Sequence, residues 1–364
     1  MGDSKTDLQS KVWSANRLQA WLKCPRQAWM KNYLQLTTFE TQNEDIDNRT
    51  RGLLIHDVEA EIFSKIGVPV FDTALKRGLL LSDSKYNSLE DLWQFALHHL
   101  AEKSPWLSRT NAVSVHRCRE IIGVTPDTWQ EYLTGATNLE PSGKIANYLS
   151  ATLSLGDSAT LVCEWPISNR VRQPVEISGH NENGQEDSFL LRGRIDRVDE
   201  INVEGQADGQ RLIIIRDMKT VNGPKLNQRG QRHRKAIFDE LQLALYAKAW
   251  EAANPNDRVV GVGITEVGDD TEYYVEMDPE YIDSVQHMSI GKITTYTSMT
   301  YRDIDEKTGG SSNGFRAWLE ERVRTALRVI GGAKAGHVNP TVSDDCKYCT
   351  VRRLCPSAKL GGKL

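Results

Sequence analysis

The chain carries two hydrophobic rhythms, one helical and one extended. Leu18, Trp21, Leu22, Trp29 and Tyr33 recur three, four or seven residues apart, which predicts an amphipathic helix capped by Ser14 or Asn16. Pro25 lacks a backbone N–H and clashes with the preceding turn, so Cys24 is expected at a kink or at a junction of two helices. After the polar stretch TQNEDIDNRTR, GLLIHDVEAEIF starts another helix. From about residue 70 to 155 the pattern is helices joined by loops: LEDLWQFALHHL, NAVSVHRCREIIG, PDTWQEYL and SGKIANYLSATLSL. Beyond 156 the rhythm turns to strands, in ATLVCEWPIS, FLLRGRIDRVDE, RLIIIRDMKT, RVVGVGITEV and EYYVEM. The turn-rich stretches Asn181–Asp187 and VEGQADGQ predict antiparallel pairing of the strands they join. Helices at IFDELQLALYAKAWEAA and SSNGFRAWLEERVRTALRVIGGA complete an α/β pattern.

Chemistry gathers where the strands end. Asp196 closes one apolar run, and Asp217 and Lys219 close the next. Residues two apart in a strand share a face, so Asp217 and Lys219 emerge together, and pairing of the strands brings Asp196 beside them. Two carboxylates and an ammonium at a sheet end suit a divalent metal and a water, the equipment of phosphodiester hydrolysis by Mg²⁺ or Mn²⁺. Lys219 can position or deprotonate that water and offset charge developing on phosphate. By itself a D-x-K is most often a strand-end ion pair, so its neighbours decide the matter. The loop after Lys219, VNGPKLNQRGQRHRK, offers Arg229, Arg232 and Arg234 for phosphate contact. Gln242 and Tyr246, four apart, share a face of the next helix.

The formal net charge of −4 argues against nucleic-acid binding through overall charge, so any such contact needs a local basic surface. The apolar fraction of 39% suffices for a core in a chain of 364 residues. No apolar run reaches the ~18 residues of a membrane span, and MGDSKTDLQS is too polar for a signal peptide, so the expected location is cytoplasmic. In that compartment Cys346, Cys349 and Cys355, spaced C-x2-C-x5-C-P, read as metal ligands rather than disulfide partners. A fourth ligand is needed, and on chemistry alone Cys24, Cys118 or Cys163 serves; Zn²⁺ and a [4Fe–4S] cluster both accept four thiolates.

Gly193-x-x-Asp196, Asp217-x-Lys219 and Gln242-x-x-x-Tyr246 resemble the PD-(D/E)XK nucleases. The resemblance is to their RecB-like branch, which includes the AddB nuclease domain and the exonucleases of CRISPR adaptation. Gly52-x-x-x-His56 matches the branch's histidine motif, and the segment from Ser14 through Leu18, Trp21 and Cys24-Pro25 to Trp29 is similar to the one carrying its first cluster cysteine. The resemblance implies a restriction-endonuclease-like core, a central mixed sheet flanked by helices. It implies that His56, Asp196 and Asp217 hold Mg²⁺ or Mn²⁺, that Lys219 acts on the water, and that Gln242 and Tyr246 orient the site and touch the DNA strand. It also implies an iron–sulfur cluster on Cys24, Cys346, Cys349 and Cys355, joining the two ends of the chain. Glu164 precedes the Gly193–Asp196 strand, as a glutamate often does in this branch; metal support and solvent exposure at an edge strand are both open to it. Ile195 stands where the family motif has proline.

The expected organisation is an N-terminal helical segment (1–66), a helical insertion (67–155), the nuclease core (156–310) and a C-terminal helix with the cysteine motif (311–364). The implied function is metal-dependent DNA cleavage, exonucleolytic on single strands or ends. The alternatives are a catalytically silent DNA-binding subunit and the nuclease subunit of a helicase–nuclease. With no GxxxxGK[ST] loop here, a helicase motor belongs to a partner chain.

Overall fold

The computed structural model describes residues 11–36, 48–66, 71–72, 77–78, 88–103, 123, 126–135, 139–169, 173–206, 209–220, 236–295 and 314–357. The elements begin with β1 (Val12–Trp13), α1 (Ala15–Lys23), α2 (Pro25–Ala28) and α3 (Asn48–Ile66). The short hairpin of β2 (Phe71–Asp72) and β3 (Arg77–Gly78) precedes α4 (Leu89–Lys103), α5 (Pro126–Leu133) and α6 (Gly143–Leu153). Then come β4 (Ser158–Pro166), β5 (Val175–His180), β6 (Glu186–Leu191), β7 (Arg194–Ile201), β8 (Arg211–Thr220) and α7 (Gln242–Ala253). The last are β9 (Asp257–Val267), β10 (Glu272–Met277), α8 (Ile282–Val285), β11 (Lys292–Thr294) and α9 (Gly314–Lys334).

Among the described residues the main sheet has six strands, in the order β11-β10-β9-β8-β7-β4. It is mixed: β8 runs parallel to β9 and antiparallel to β7. The parallel pair needs a crossover, and α7 supplies one. Leu212 to Ile215 in β8 are fully buried on both faces, as expected of a strand with a layer on each side. One face packs against α1, α7 and α9 through Trp21, Leu245, Trp318 and Val323. The other is covered by α3 and by α4, α5 and α6 of the insertion, through Ile55, Trp93, Trp129 and Tyr148 over Met218, Val267 and Tyr273. The observed architecture is therefore the expected mixed sheet between helices, with the insertion helices forming part of one layer.

Ser14 Oγ accepts from Arg17 N–H at 3.2 Å and caps α1, and Cys24 is both the end of α1 and the start of α2, with extended backbone. The run FLLRGRIDRVDE differs from its expectation as one strand. It splits at Arg192 and Gly193 into β6, which joins β1 and β5 in a separate three-stranded sheet, and β7 in the main sheet. A Cβ on Gly193 would stand 3.2 Å from both Ile167 Cδ1 and Tyr246 Oη. A side chain at 193 would thus crowd Ile167 and Tyr246, which favours glycine where β6 passes into β7.

Candidate metal and nuclease site

Five elements deliver side chains to one end of the main sheet. α3 brings His56, β4 Glu164, β7 Asp196, β8 Asp217 and Lys219, and α7 Gln242 and Tyr246. Antiparallel pairing of β7 with β8, in the register Arg197 opposite Arg216, sets Asp196 beside Asp217.

His56, Glu164 and Asp196 each offer a ligand atom, all within 4.8 Å of one another. His56 Nδ1 lies 2.7 Å from Glu164 Oε1 and 3.9 Å from Asp196 Oδ1. The second oxygen of Asp196 accepts the Met218 backbone N–H at 2.8 Å, which fixes the carboxylate against β8. Glu164 Oε2 is held by Arg194 Nε at 2.5 Å. Glu164 adopts φ 52°, in the left-handed region, just beyond an irregularity in the β4–β7 ladder between Thr160 and Val162. Such a conformation costs of order 1–3 kcal/mol for a residue other than glycine and clusters at functional sites.

Asp217 lies next to this trio and is held differently. Its Oδ1 accepts from Gln242 Nε2 at 2.6 Å, and its Oδ2 pairs with Lys219 Nζ at 2.7 Å. Tyr246 bonds the Arg194 backbone and the Gln242 side chain. So the structure brings His56, Asp196, Asp217, Lys219, Gln242 and Tyr246 together, and adds Glu164 to the oxygen donors. Arg229, Arg232 and Arg234 lie outside the described residues.

The electrostatics follow from crowding carboxylates in a half-buried pocket. Burial first, and then the charge of Asp217, push Asp196 up to about 8. For His56 burial works downward, but the Glu164 hydrogen bond and the charges of Asp196, Glu59 and Glu164 outweigh it and raise the imidazole to about 9. Burial also opposes charge on Lys219, yet Asp217 prevails and raises it above its ordinary value, so it is an ammonium donor. Burial, with Asp196 and Asp217, pushes the Tyr246 phenol well up.

These shifts give a prediction for metal uptake. A ligating imidazole or carboxylate must shed its proton. At pH 7 the metal-free site holds protons on groups with pKa values of about 9 and 8. Mn²⁺ binding at pH 7 should therefore release one to two protons, and affinity should climb as pH rises toward 9. Calorimetry in two buffers of different ionisation enthalpy measures the release; equal heats in both would contradict this charge state.

A second constellation lies where the two ends of the chain meet. Cys24, Cys346, Cys349 and Cys355 line one cavity of about 240 Å³ together with Arg26 and Gln27. All four are free thiols, as is Cys163, which lies elsewhere, on β4. Cys118 is outside the described residues. Gln27 Nε2 donates to Cys349 Sγ at 3.4 Å, and the Ser343 N–H donates to Cys346 Sγ at 3.4 Å.

Among the described residues no helix is long and apolar enough to cross a membrane. No curated protein matches the chain. Among solved structures it is similar to one titled "Crystal structure of SSO0001", at 16% identity and a TM-score of 0.22, over 51% of this chain. The chain spans 60% of that structure's length, and a likeness this slight carries no weight for fold or function. The family model "PD-(D/E)XK nuclease superfamily" matches residues 12–356. That stretch runs from β1 past the last clustered cysteine and includes every element that carries a site residue, so the chain belongs to the PD-(D/E)XK nuclease superfamily.

Proposed function

We propose that this nuclease-superfamily protein is a metal-dependent deoxyribonuclease, acting exonucleolytically on single-stranded DNA or DNA ends. The observation that carries the reading is the convergence of His56, Glu164 and Asp196 beside the Asp217–Lys219 pair. The donor set of one imidazole and several carboxylate oxygens suits Mg²⁺ or Mn²⁺. His56, Asp196 and Asp217 would hold the ion, with Glu164 as a further oxygen donor. When bound, the ion supplies Lewis-acid polarisation of the phosphoryl oxygen and lowers the pKa of a water. Lys219, charged and half-exposed, donates to the attacking water and offsets charge on the phosphate. Gln242 fixes one oxygen of Asp217 so that the other faces Lys219. Tyr246, buried beside Gly193, orients the site through the Arg194 backbone and Gln242.

The four-cysteine cavity is the proposed place of a [4Fe–4S] cluster, as the family resemblance implies, with Zn²⁺ as the alternative that four thiolates also accept. The N–H donors on Cys346 and Cys349 are of the kind that tune iron–sulfur clusters.

Anaerobically purified protein with Mg²⁺ or Mn²⁺ should digest end-labelled linear single-stranded DNA and spare a circular strand. Degradation of the circle would replace the exonuclease reading with an endonuclease. No cleavage of either would favour the silent DNA-binding subunit, which the complete Asp196, Asp217 and Lys219 set opposes. Co-purification of an ATPase would support a helicase partner. Neutralising Arg229, Arg232 and Arg234 together should weaken DNA binding and reduce the salt slope by up to about 0.7 per lost phosphate contact on single strands. An unchanged slope in a salt titration would exclude the loop from the DNA interface.

A further inference from the structure

Beneath the metal site, on the opposite face of β7 and β8, lies a buried cluster of charged residues centred on Asp199. The Asp199 carboxylate is fully buried and takes bonds from three strands. From β4, Ser158 Oγ and Thr160 Oγ1 donate at 3.3 and 3.0 Å. From β7 itself, Arg197 Nε donates at 2.7 Å, and from β8 Arg216 Nε donates at 2.6 Å. Arg197 Nη1 in turn lies 3.7 Å from Glu59 Oε1 on α3, and Tyr148 of α6 bonds the same Glu59 oxygen. Both guanidinium groups lie over the Tyr273 ring, at 5.7 and 5.3 Å, and Thr152 of α6 holds the Tyr273 hydroxyl at 2.7 Å.

Among the elements gathered here are α3, β4, β7 and β8, which carry His56, Glu164, Asp196 and Asp217. Glu59 is one turn from His56 on α3, and Thr160 shares β4 with Glu164. Arg197 follows Asp196, and Arg216 precedes Asp217. Adjacent strand residues point to opposite faces, so Arg197 lies behind Asp196 and Arg216 behind Asp217. We propose that Asp199 is a positioning residue for the metal centre, the point at which β4, β7, β8 and, through Arg197 and Glu59, α3 are locked at the spacing their ligands need. Groups hydrogen-bonded to metal ligands set affinity by about 10–100-fold; Asp199 bonds no ligand itself and acts through the strands that carry them, so its effect is smaller. A carboxylate among two arginines and two hydroxyls also has little freedom to rearrange. Arg197 and Arg216 outweigh the upward push of burial and hold Asp199 at about 2, so it stays ionised across the working range.

The inference rests on the metal-site reading, and its test reads metal rather than activity. Mn²⁺ is titrated into metal-free protein while the electron paramagnetic resonance signal of free Mn²⁺ is followed. Asp199→Asn should raise half-saturating Mn²⁺ by up to about tenfold. Thr160→Val, which keeps shape and removes one bond, should raise it about threefold. Leu327→Ala, on α9, which carries no residue of the metal site or of the Asp199 network, serves as a control for loss of stability and should leave it unchanged. Unchanged Mn²⁺ affinity in a folded Asp199→Asn, or equal losses in Leu327→Ala, would overturn the proposal. Should Asp199→Asn fail to fold, Thr160→Val decides by the same criterion. Failure of the unmodified protein to bind Mn²⁺ at all would overturn the metal-site reading itself and this one with it.

Discussion

Lys219→Ala and Asp217→Asn should each lower the cleavage rate by about 10³-fold or more, while DNA binding measured in Ca²⁺ stays within a few-fold of the unmodified protein. Removing one preorganised donor from a transition state costs about 10²–10³ in rate. The Asp217–Lys219 contact of 2.7 Å means that either change also unsettles the partner. Asp217→Asn leaves shape and the Gln242 contact largely in place and removes the charge. Ground-state binding depends on contacts along the strand, so the loss belongs in kcat and not in affinity. Single-turnover cleavage of labelled DNA beside an equilibrium binding titration separates the two quantities. Near-normal cleavage by either variant would move the chemical step away from β8.

Cys24→Ala should produce colourless protein, without iron or acid-labile sulfide, whose two ends are cut readily by protease. Cys24 is the one thiol of the four contributed from the α1–α2 junction; the others come from the turns after α9. Residues 27 and 349, which touch in this cavity, are 322 positions apart. By the loop-entropy relation used for cross-links, closing a loop of that size is worth up to about 5–6 kcal/mol. A typical fold has a total stability of only ~5–15 kcal/mol. Activity should therefore fall through loss of folded protein, and Cys163→Ala should keep the colour. Iron and sulfide analysis with limited proteolysis tests both statements. Stoichiometric zinc without iron would turn the cluster into a zinc knot, and a full cluster in Cys24→Ala would remove the link between the ends.

Much of this arrangement is legible in sequence because the local signals agree with the fold. The doubly buried Leu212–Ile215 run announces a central strand, and the turn at 203–210 fixes its antiparallel partner, which places Asp196 near Asp217. Pro25 marks the helix junction at which Cys24 sits. What is hidden depends on contacts between distant residues. Glu164 turns toward His56 because of a left-handed backbone and a ladder irregularity, neither of which strand alternation predicts. The split between β6 and β7 falls at Gly193, where Ile167 and Tyr246 leave little room for a side chain. Asp199 reads as one more charged residue at a strand end. Only the side-by-side pairing of β4, β7 and β8 shows that it is buried among two arginines and two hydroxyls.

The meeting of the chain's two ends has a consequence for biosynthesis. At about 5–20 residues per second, a ribosome that has just made Cys24 needs roughly 16–65 s to reach Cys346. Every side chain of the metal site, from His56 to Tyr246, is made within that interval. The sheet end can thus form its constellation while Cys24 still lacks its three companion thiols. The proposed cluster, if held by all four thiols, would be completed only after Cys355 has left the exit tunnel, a late step separable in time from assembly of the metal site.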